Sequence, residues 1–257
     1  MYQAKFWAGI LASSVCLSFV FAQAPTAPQS VLTPLERYRN SRIPTYMNDF
    51  GELARYREEN ARLPAPAPGE KRIVFFGDSI TDLWHLPEYF PGKPYINRGI
   101  GGQTTPQMLV RFRQDVISLQ PHAVVILAGT NDTAGNTGPM RLEDIEANFV
   151  TFAELAKVHG IRVVISSVLP VHNYTPQSLD LFSQRPPEKI VELNRWLRGY
   201  CAATGCTFLD YFAAMVDKNG LLKKELADDG LHPNSAGYRL MAPMAETAIA
   251  SVTADAK

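Results

Sequence analysis

Residues 71–81 read KRIVFFGDSIT, and this stretch defines the class of fold. Its four consecutive apolar residues form a run that is too short for a helix and ends at Gly77, which is typical of a strand buried on both faces. Further short apolar runs occupy residues 123–128, 161–168 and 207–209, and a weaker strand is predicted over residues 94–97.

Helical patterns separate these apolar runs. Apolar residues recur at helical spacing over residues 142–155, over 190–200 after a Pro-Pro pair, and over 235–252, where Pro243 is expected to interrupt the last helix. Buried strands that alternate with helices predict a parallel sheet covered by helices on both faces. The sequence therefore predicts an α/β protein, a three-layer α/β/α sandwich over residues 71–257.

The composition excludes some classes of partner. The chain has 257 residues, with 25 Lys or Arg and 25 Asp or Glu, so its formal net charge is zero. This balance argues against nucleic acid or an anionic membrane surface as a partner. After residue 25 the sequence has no run of about 20 apolar residues, so we expect no stable membrane insertion of the mature chain.

The N-terminus has the pattern of a secretory signal peptide over residues 1–22. Lys5 precedes an apolar stretch, and small residues follow around Ala22. A retained N-terminal anchor is the alternative. Cleavage after Ala22 would leave residues 23–70 as an extension with a helix over residues 48–63 and a Pro-rich linker. We therefore expect a secreted or periplasmic protein.

Removal of the signal would leave two cysteines, Cys201 and Cys206, on either side of Ala-Ala-Thr-Gly. That turn could bring their α-carbons close enough for a disulfide, which an oxidising compartment would allow. Two buried thiols near a helix end are the alternative. A second Cys or His pair at ligand spacing is missing nearby, so these cysteines are not predicted to bind a metal.

Polar segments follow the apolar runs or precede the last helix. Their sequences are GDSIT over residues 77–81, NRGIGGQT over 97–104, GTND over 129–132 and DDGLHPN over 228–234. In open parallel sheets, ligands bind outside the carboxyl ends of the strands. We therefore expect all four segments to meet at one edge of the sheet.

These segments contain the groups that acyl transfer requires. Ser79 is the candidate nucleophile, His232 the base that takes its proton, and Asp229 the carboxylate that orients the imidazole. The backbone N–H groups of Ser79 and Gly102 and the side-chain amide of Asn131 are candidate donors to the oxyanion of the tetrahedral intermediate.

In their order and spacing, the segments resemble the SGNH hydrolases, also called the GDSL esterase/lipase family. Residues 77–80 resemble the first motif of the family, residues 99–103 the second, 129–132 the third and 229–233 the fifth. The resemblance extends over residues 71–252. It implies a flavodoxin-like, five-stranded parallel sheet of order 2-1-3-4-5 and a serine esterase that needs no cofactor.

Two details of the motifs refine this resemblance. Ile80 stands where the family usually has leucine. The second motif is similar to that of the acetylhydrolase branch, which implies a short acyl group. The family takes one oxyanion donor from this motif, and we assign it to Gly102 rather than Gly101 because Gly102 precedes the polar Gln103.

Other classes of protein fit the sequence less well. A two-metal phosphoesterase would need about six ligands, which the surroundings of Asp78 do not provide, so no metal site is predicted. An α/β-hydrolase needs a G-x-S-x-G elbow, which the sequence lacks. A non-catalytic glycan-binding module of this fold would be expected to have lost Ser79 or His232.

The substrate is therefore expected to be a small-molecule or glycan ester. Export and a neutral surface favour a short-chain, acetyl ester on a carbohydrate. A lipid-directed acyl hydrolase of the same fold, similar to a lysophospholipase or a thioesterase, is the alternative. The loop over residues 169–187 is expected to cover the pocket and to influence this choice.

Overall fold

Five parallel strands form the centre of the computed structural model, which describes residues 32–254. The strands are β1 Ile73–Gly77, β2 Tyr95–Gly99, β3 Ala123–Leu127, β4 Arg162–Ser166 and β5 Thr207–Leu209. They pair in the order β2-β1-β3-β4-β5, and every pairing is parallel. The predicted strands and their order are confirmed. The predicted signal peptide, residues 1–22, lies outside the described residues.

Helices cover both faces of the sheet. Those found within residues 32–254 are α1 Pro34–Asn48, α2 Ala54–Arg62, α3 Ser79–Asp82, α4 Leu86–Tyr89, α5 Thr105–Asp115, α6 Thr130–Ala134, α7 Leu142–Val158, α8 Leu179–Ser183, α9 Pro187–Thr204, α10 Tyr211–Met215 and α11 Ser235–Thr253. Single 3-10 turns occupy Ile117–Leu119, Pro176–Ser178 and Lys224–Leu226.

Strand β1 shows why the sheet has two cores. Ile73 and Phe75 join an apolar cluster with α11, whereas Val74 and Phe76 join a second cluster with α5, α7 and α9. All five residues of β1 are buried, because successive side chains point to opposite faces and each face is covered. The predicted three-layer sandwich is confirmed.

The last helix differs from its prediction, because α11 continues through Pro243. A proline inside a helix removes one backbone donor and crowds the preceding turn. Met241, Ala242 and Ala245 are nevertheless buried in the core cluster on either side of it. The packing of this face against the sheet holds the helix together, so the expected interruption was wrong.

The segment before the sheet contains two helices rather than one. Helix α1 was not predicted, and the predicted helix over residues 48–63 begins only at Ala54. Thr33 and Glu36 form a capping box at the start of α1, in which each side chain accepts a hydrogen bond from the other's backbone N–H. Of the residues that the structure describes, 33–254 belong to one compact unit.

The disulfide and the predicted site segments lie at opposite ends of the strands. Cys201, in α9, and Cys206, just before β5, form a disulfide with their α-carbons 4.6 Å apart. This disulfide lies at the amino ends of the strands, whereas the predicted site segments follow their carboxyl ends. None of the helices in the described part of the chain is long and apolar enough to cross a membrane.

Candidate active site

A sharp turn from β1 into α3 places the half-buried Ser79 at the sheet edge. Gly77 ends β1, and a Cβ at this position would lie 2.2 Å from the Thr81 Oγ1 atom, so only glycine fits. Asp78 caps α3, since its Oδ1 accepts a hydrogen bond from the Ile80 N–H at 3.0 Å. The sequence Gly-Asp-Ser thus places Ser79 at the first position of α3.

Ser79, His232 and Asp229 form one chain of hydrogen bonds. The Ser79 Oγ lies 2.8 Å from the His232 Nε2, and the His232 Nδ1 lies 2.6 Å from the Asp229 Oδ2. Asp229 Oδ1 accepts from the backbone N–H groups of Leu231 at 3.0 Å and His232 at 2.8 Å. This geometry favours the tautomer with the proton on Nδ1, which leaves Nε2 free to accept the serine proton.

The environment of Asp229 keeps its carboxylate ionised. Partial burial acts to raise the pKa of Asp229, but hydrogen bonds from the His232 ring and from the His232 and Leu231 N–H groups outweigh it. The pKa of Asp229 is therefore held well below its ordinary value. A negative charge at this position stabilises the imidazolium that forms when His232 accepts a proton.

The second motif lies next to the serine, and its two glycines differ. A Cβ on Gly101 would lie 3.9 Å from the Ser79 Cβ, so the motif contacts the candidate nucleophile. The Gly101 N–H donates to Asp82 Oδ2 at 3.1 Å. Within the described residues, the Gly102 N–H has no such acceptor, so it is the one available to a ligand.

The third motif is tied to the second and to a buried arginine. Asn131 Nδ2 donates to the Gln103 carbonyl at 3.0 Å. Arg185 donates to Asn131 Oδ1 and to Thr130 Oγ1, both at 3.1 Å. Arg185 is 3% exposed and lies in the loop before α9. These bonds fix which end of the Asn131 amide carries the donor.

Helix α1 covers the second motif. Gly102 has φ +78, and a Cβ on it would lie 2.0 Å from the Tyr38 Oη atom. Arg39 donates two hydrogen bonds to the Gly135 carbonyl at the end of α6, the Nε bond measuring 2.8 Å. The extension outside the recognised motifs therefore forms part of the wall of the site.

Arg111, a residue of α5, holds the ends of β1 and β2 together. Its guanidinium is fully buried and donates to the carbonyls of Gly77 at 2.8 Å and Arg98 at 2.9 Å, which lie near the ends of β1 and β2. It also donates to Gln103 at 2.6 Å and pairs with the Asp115 carboxylate at 3.1 Å. One residue thus sets the relative position of the first and second motifs.

Tyr38, Arg111 and Arg185 lie outside the sequence motifs and were not predicted as site residues. Arg111 stands on the buried face of the amphipathic helix α5, which is a weak signal for a structural charge. Tyr38 and Arg185 carry no local signal, because nothing in their neighbouring sequence relates them to the motifs they contact.

Two buried carboxylates, Asp78 and Asp132, lie next to the site residues without joining the chain of hydrogen bonds from Ser79 to Asp229. Burial raises the pKa of Asp78 to about 6, against the effect of the Ile80 N–H. Burial likewise raises the pKa of Asp132 to about 6, although Thr105 donates to this carboxylate through its hydroxyl and its N–H. Across residues 32–254, no three His, Cys, Asp or Glu side chains are grouped so that they could hold a metal ion.

Comparison with known proteins gives the family. Residues 75–240 match the model of the GDSL-like Lipase/Acylhydrolase family. The match covers more than half of the chain, so the chain belongs to this family, whose members are ester hydrolases. The predicted resemblance is confirmed.

Particular relatives support the assignment. The solved structure of a GDSL-like lipase from Bacteroides thetaiotaomicron is 41% identical and has a TM-score of 0.73, over 79% of this chain and 98% of that one. The platelet-activating factor acetylhydrolase IB subunit alpha1 of Homo sapiens is 28% identical over 76% of this chain and 83% of that protein. An acetylxylan esterase of Geobacillus stearothermophilus is 26% identical over 68% of this chain and 91% of that protein.

A further relative is matched in part. A lipoprotein of Bacillus subtilis is 32% identical over 122 residues, so the match spans half of that protein's length.

Proposed function

We propose that this chain is a secreted serine esterase that removes short acyl groups, acetyl above all, from carbohydrate. The observation that carries the proposal is the unbroken chain of hydrogen bonds from Ser79 through His232 to Asp229. A binding module would have no need of a serine that is hydrogen-bonded to an oriented imidazole.

The proposed reaction uses each of these groups in turn. Ser79 Oγ attacks the ester carbonyl carbon while His232 Nε2 takes its proton. The resulting oxyanion accepts hydrogen bonds from the Ser79 and Gly102 N–H groups and from Asn131. The ester C–O bond then breaks as His232 returns the proton to the alcohol. A water molecule, deprotonated by His232, attacks the acyl carbon; the bond from that carbon to Ser79 Oγ then breaks, His232 returns the proton to Ser79 Oγ, and the acid leaves.

Three observations support an acetyl ester of a carbohydrate as the substrate: the names of two relatives, polar groups at the site and the predicted signal peptide. Both an acetylxylan esterase and a platelet-activating factor acetylhydrolase carry acetyl in their names. At the second motif, the half-buried Tyr38 hydroxyl beside Gly102 and the Asp82 carboxylate beside Gly101 are hydrogen-bonding groups that suit the hydroxyls of a sugar. The predicted signal peptide supports an exported enzyme that meets acetylated polysaccharide outside the cytoplasm.

The test is hydrolysis of p-nitrophenyl esters from acetyl to dodecanoyl by the mature protein, with Ser79→Ala beside it. We expect activity to fall steeply beyond butyryl and to be lost in Ser79→Ala. Acetylated xylan and an acetylated ether phospholipid, assayed for released acetate, then distinguish a carbohydrate alcohol from a lipid alcohol.

Ser251→Ala is the matched control, because Ser251 is an exposed serine of α11 that bonds only to the Ala248 carbonyl among the described residues. It should keep full activity. Activity that survives in Ser79→Ala, or that is lost with a chelator, would overturn the serine mechanism. A preference for long acyl chains would retain the mechanism and replace the acetyl substrate with a lipid.

A further inference from the structure

Arg185 is a buried charge beside the proposed oxyanion site that the triad mechanism does not use. Its side chain is almost fully buried, and it belongs to the loop between α8 and α9 rather than to any recognised motif. Buried arginines are unusual and generally make several well-oriented hydrogen bonds, because desolvation of the guanidinium is costly.

The hydrogen bonds of Arg185 point towards the third motif. Nε donates to Thr130 Oγ1 and one terminal nitrogen donates to Asn131 Oδ1, both at 3.1 Å. The other terminal nitrogen donates to the Leu181 carbonyl at 3.1 Å, which anchors the guanidinium to α8. The planar fork of the guanidinium thus holds two consecutive residues of the first turn of α6.

These bonds determine what Asn131 can offer a ligand. Its oxygen accepts from Arg185, so its NH₂ group must point the other way, and one N–H of that group donates to the Gln103 carbonyl. The second N–H remains for the oxyanion. Without Arg185, the amide could rotate and present its oxygen, which would repel a negative charge.

Arg185 also remains charged. Burial lowers its pKa to about 10, while the negative charges of Asp78 and Asp229 favour the protonated form. At neutral pH the guanidinium is therefore positive, and it is hydrogen-bonded to Asn131, the candidate side-chain donor to the oxyanion.

We propose that Arg185 is a positioning residue of this esterase, which acts through Asn131 by holding its amide N–H towards the oxyanion. This inference rests on the proposed function. It adds a residue from outside the sequence motifs to the proposed machinery, because the loop before α9 brings it to the carboxyl end of β3.

The test is a double-mutant cycle between Arg185→Gln and Asn131→Ala, with kcat and KM for p-nitrophenyl acetate as readouts. Loss of one oxyanion donor lowers kcat on the order of 10²–10³-fold. We expect Arg185→Gln to lower kcat by about 10- to 100-fold with little change in KM, and Arg185→Lys to retain part of the activity. In the Asn131→Ala background, Arg185→Gln should cost less than about threefold.

Arg72→Gln is the matched control. Arg72 is also buried and donates to two backbone carbonyls and to Glu70, but it precedes β1 at the opposite end of the sheet. This variant should lose thermal stability and keep the kcat of its folded fraction.

The outcomes separate the two proposals. If the wild-type protein hydrolyses acetate esters and Arg185→Gln loses only stability, as the control does, the role of Arg185 is overturned and the esterase stands. Equal losses from Arg185→Gln in both backgrounds would also overturn it. If the wild type hydrolyses no ester, the proposed function fails, and the role of Arg185 with it.

Discussion

At the scale of single residues, the two glycines of the second motif show how a close contact assigns a role. Gly101 uses its N–H to hold Asp82, whereas Gly102 adopts a left-handed conformation under Tyr38. The sequence offered only the neighbouring Gln103 as a reason to choose between them. The hydrogen bond from Gly101 gives a physical reason to choose Gly102.

We therefore predict that Gly102→Ala is far more damaging than Gly101→Ala. A non-glycine residue with positive φ costs on the order of 1–3 kcal/mol, and the new Cβ would also overlap Tyr38 Oη. A Cβ on Gly101 meets only ordinary contacts, the nearest being Asp82 Oδ2 at 3.6 Å. Urea denaturation and p-nitrophenyl acetate hydrolysis measure the two variants.

Gly102→Ala made in a Tyr38→Phe background separates the overlap with the Tyr38 hydroxyl from the strain of the backbone. Removal of the hydroxyl should restore part of the stability of Gly102→Ala, because the next atom of the ring, Cζ, would lie 3.2 Å from the new Cβ. No difference between the two alanine variants would refute the strain and overlap predicted at Gly102.

Burial of Asp132 predicts that the stability of the protein depends on pH. Its pKa is raised by burial to about 6 in the folded protein, so the folded state disfavours the charged form. The variant Asp132→Asn would lack this penalty, because an amide does not ionise. The stability of the wild type relative to Asp132→Asn should therefore be highest below about pH 4 and fall as the pH rises through 6, by about 3 kcal/mol at most.

Chemical denaturation of both proteins between pH 4 and pH 8 measures this difference. The amide oxygen of the variant can still accept the two hydrogen bonds from Thr105, so the local structure is preserved. Asp180→Asn, an exposed substitution on α8, controls for the loss of a carboxylate elsewhere. A constant difference between wild type and Asp132→Asn across the range would contradict the prediction.

At the scale of elements, the strands and helices α7, α9 and α11 were predicted from the sequence, and α1 and α5 were not. The strands are continuous apolar runs that end at polar motifs, so their pattern is local. Helix α1 has no buried residue, and its contacts with the domain are made by a few long side chains. Apolar periodicity therefore could not reveal it, although its capping box could have.

These long side chains make α1 sensitive to single substitutions. Arg39→Ala removes two hydrogen bonds from a charged donor to the Gly135 carbonyl and should cost about 1–2 kcal/mol. We expect faster amide hydrogen exchange in α1 than in the wild type, with α5 and α7 unchanged. Exchange measured by mass spectrometry tests this.

Arg57→Ala is the control for that experiment. Arg57 is an exposed arginine of α2 whose side chain makes no ion pair or hydrogen bond with the described part of the chain. It should leave the exchange of α1 as in the wild type. Exchange in α1 that is unchanged by Arg39→Ala would mean that other contacts hold the helix.

At the scale of the whole molecule, the disulfide and the candidate active site lie at opposite ends of the sheet. The disulfide joins α9 to the start of β5, whereas Ser79 follows the carboxyl end of β1. Removal of the disulfide by Cys201→Ala with Cys206→Ala should lower stability by about 2 kcal/mol, since the loop that it closes is short. The kcat of the folded protein should not change.

Thermal unfolding and ester hydrolysis of this double variant test the separation. Reduction of the wild type, with the same assays, controls for the change of side chain. A loss of kcat that exceeds the unfolded fraction would show that the two ends of the sheet are coupled.

The sequence by itself determined the strands, and it predicted Ser79, His232 and Asp229 as the catalytic residues, because both rest on local patterns. An apolar run, a glycine at its end and an Asp-x-x-His turn keep their meaning wherever the chain folds. Tertiary structure alone decided how Arg185 holds Asn131, 54 positions away, and how Tyr38 covers Gly102. Such contacts depend on how distant segments of the chain pack together, and the residues next to each of them in the sequence do not predict that packing.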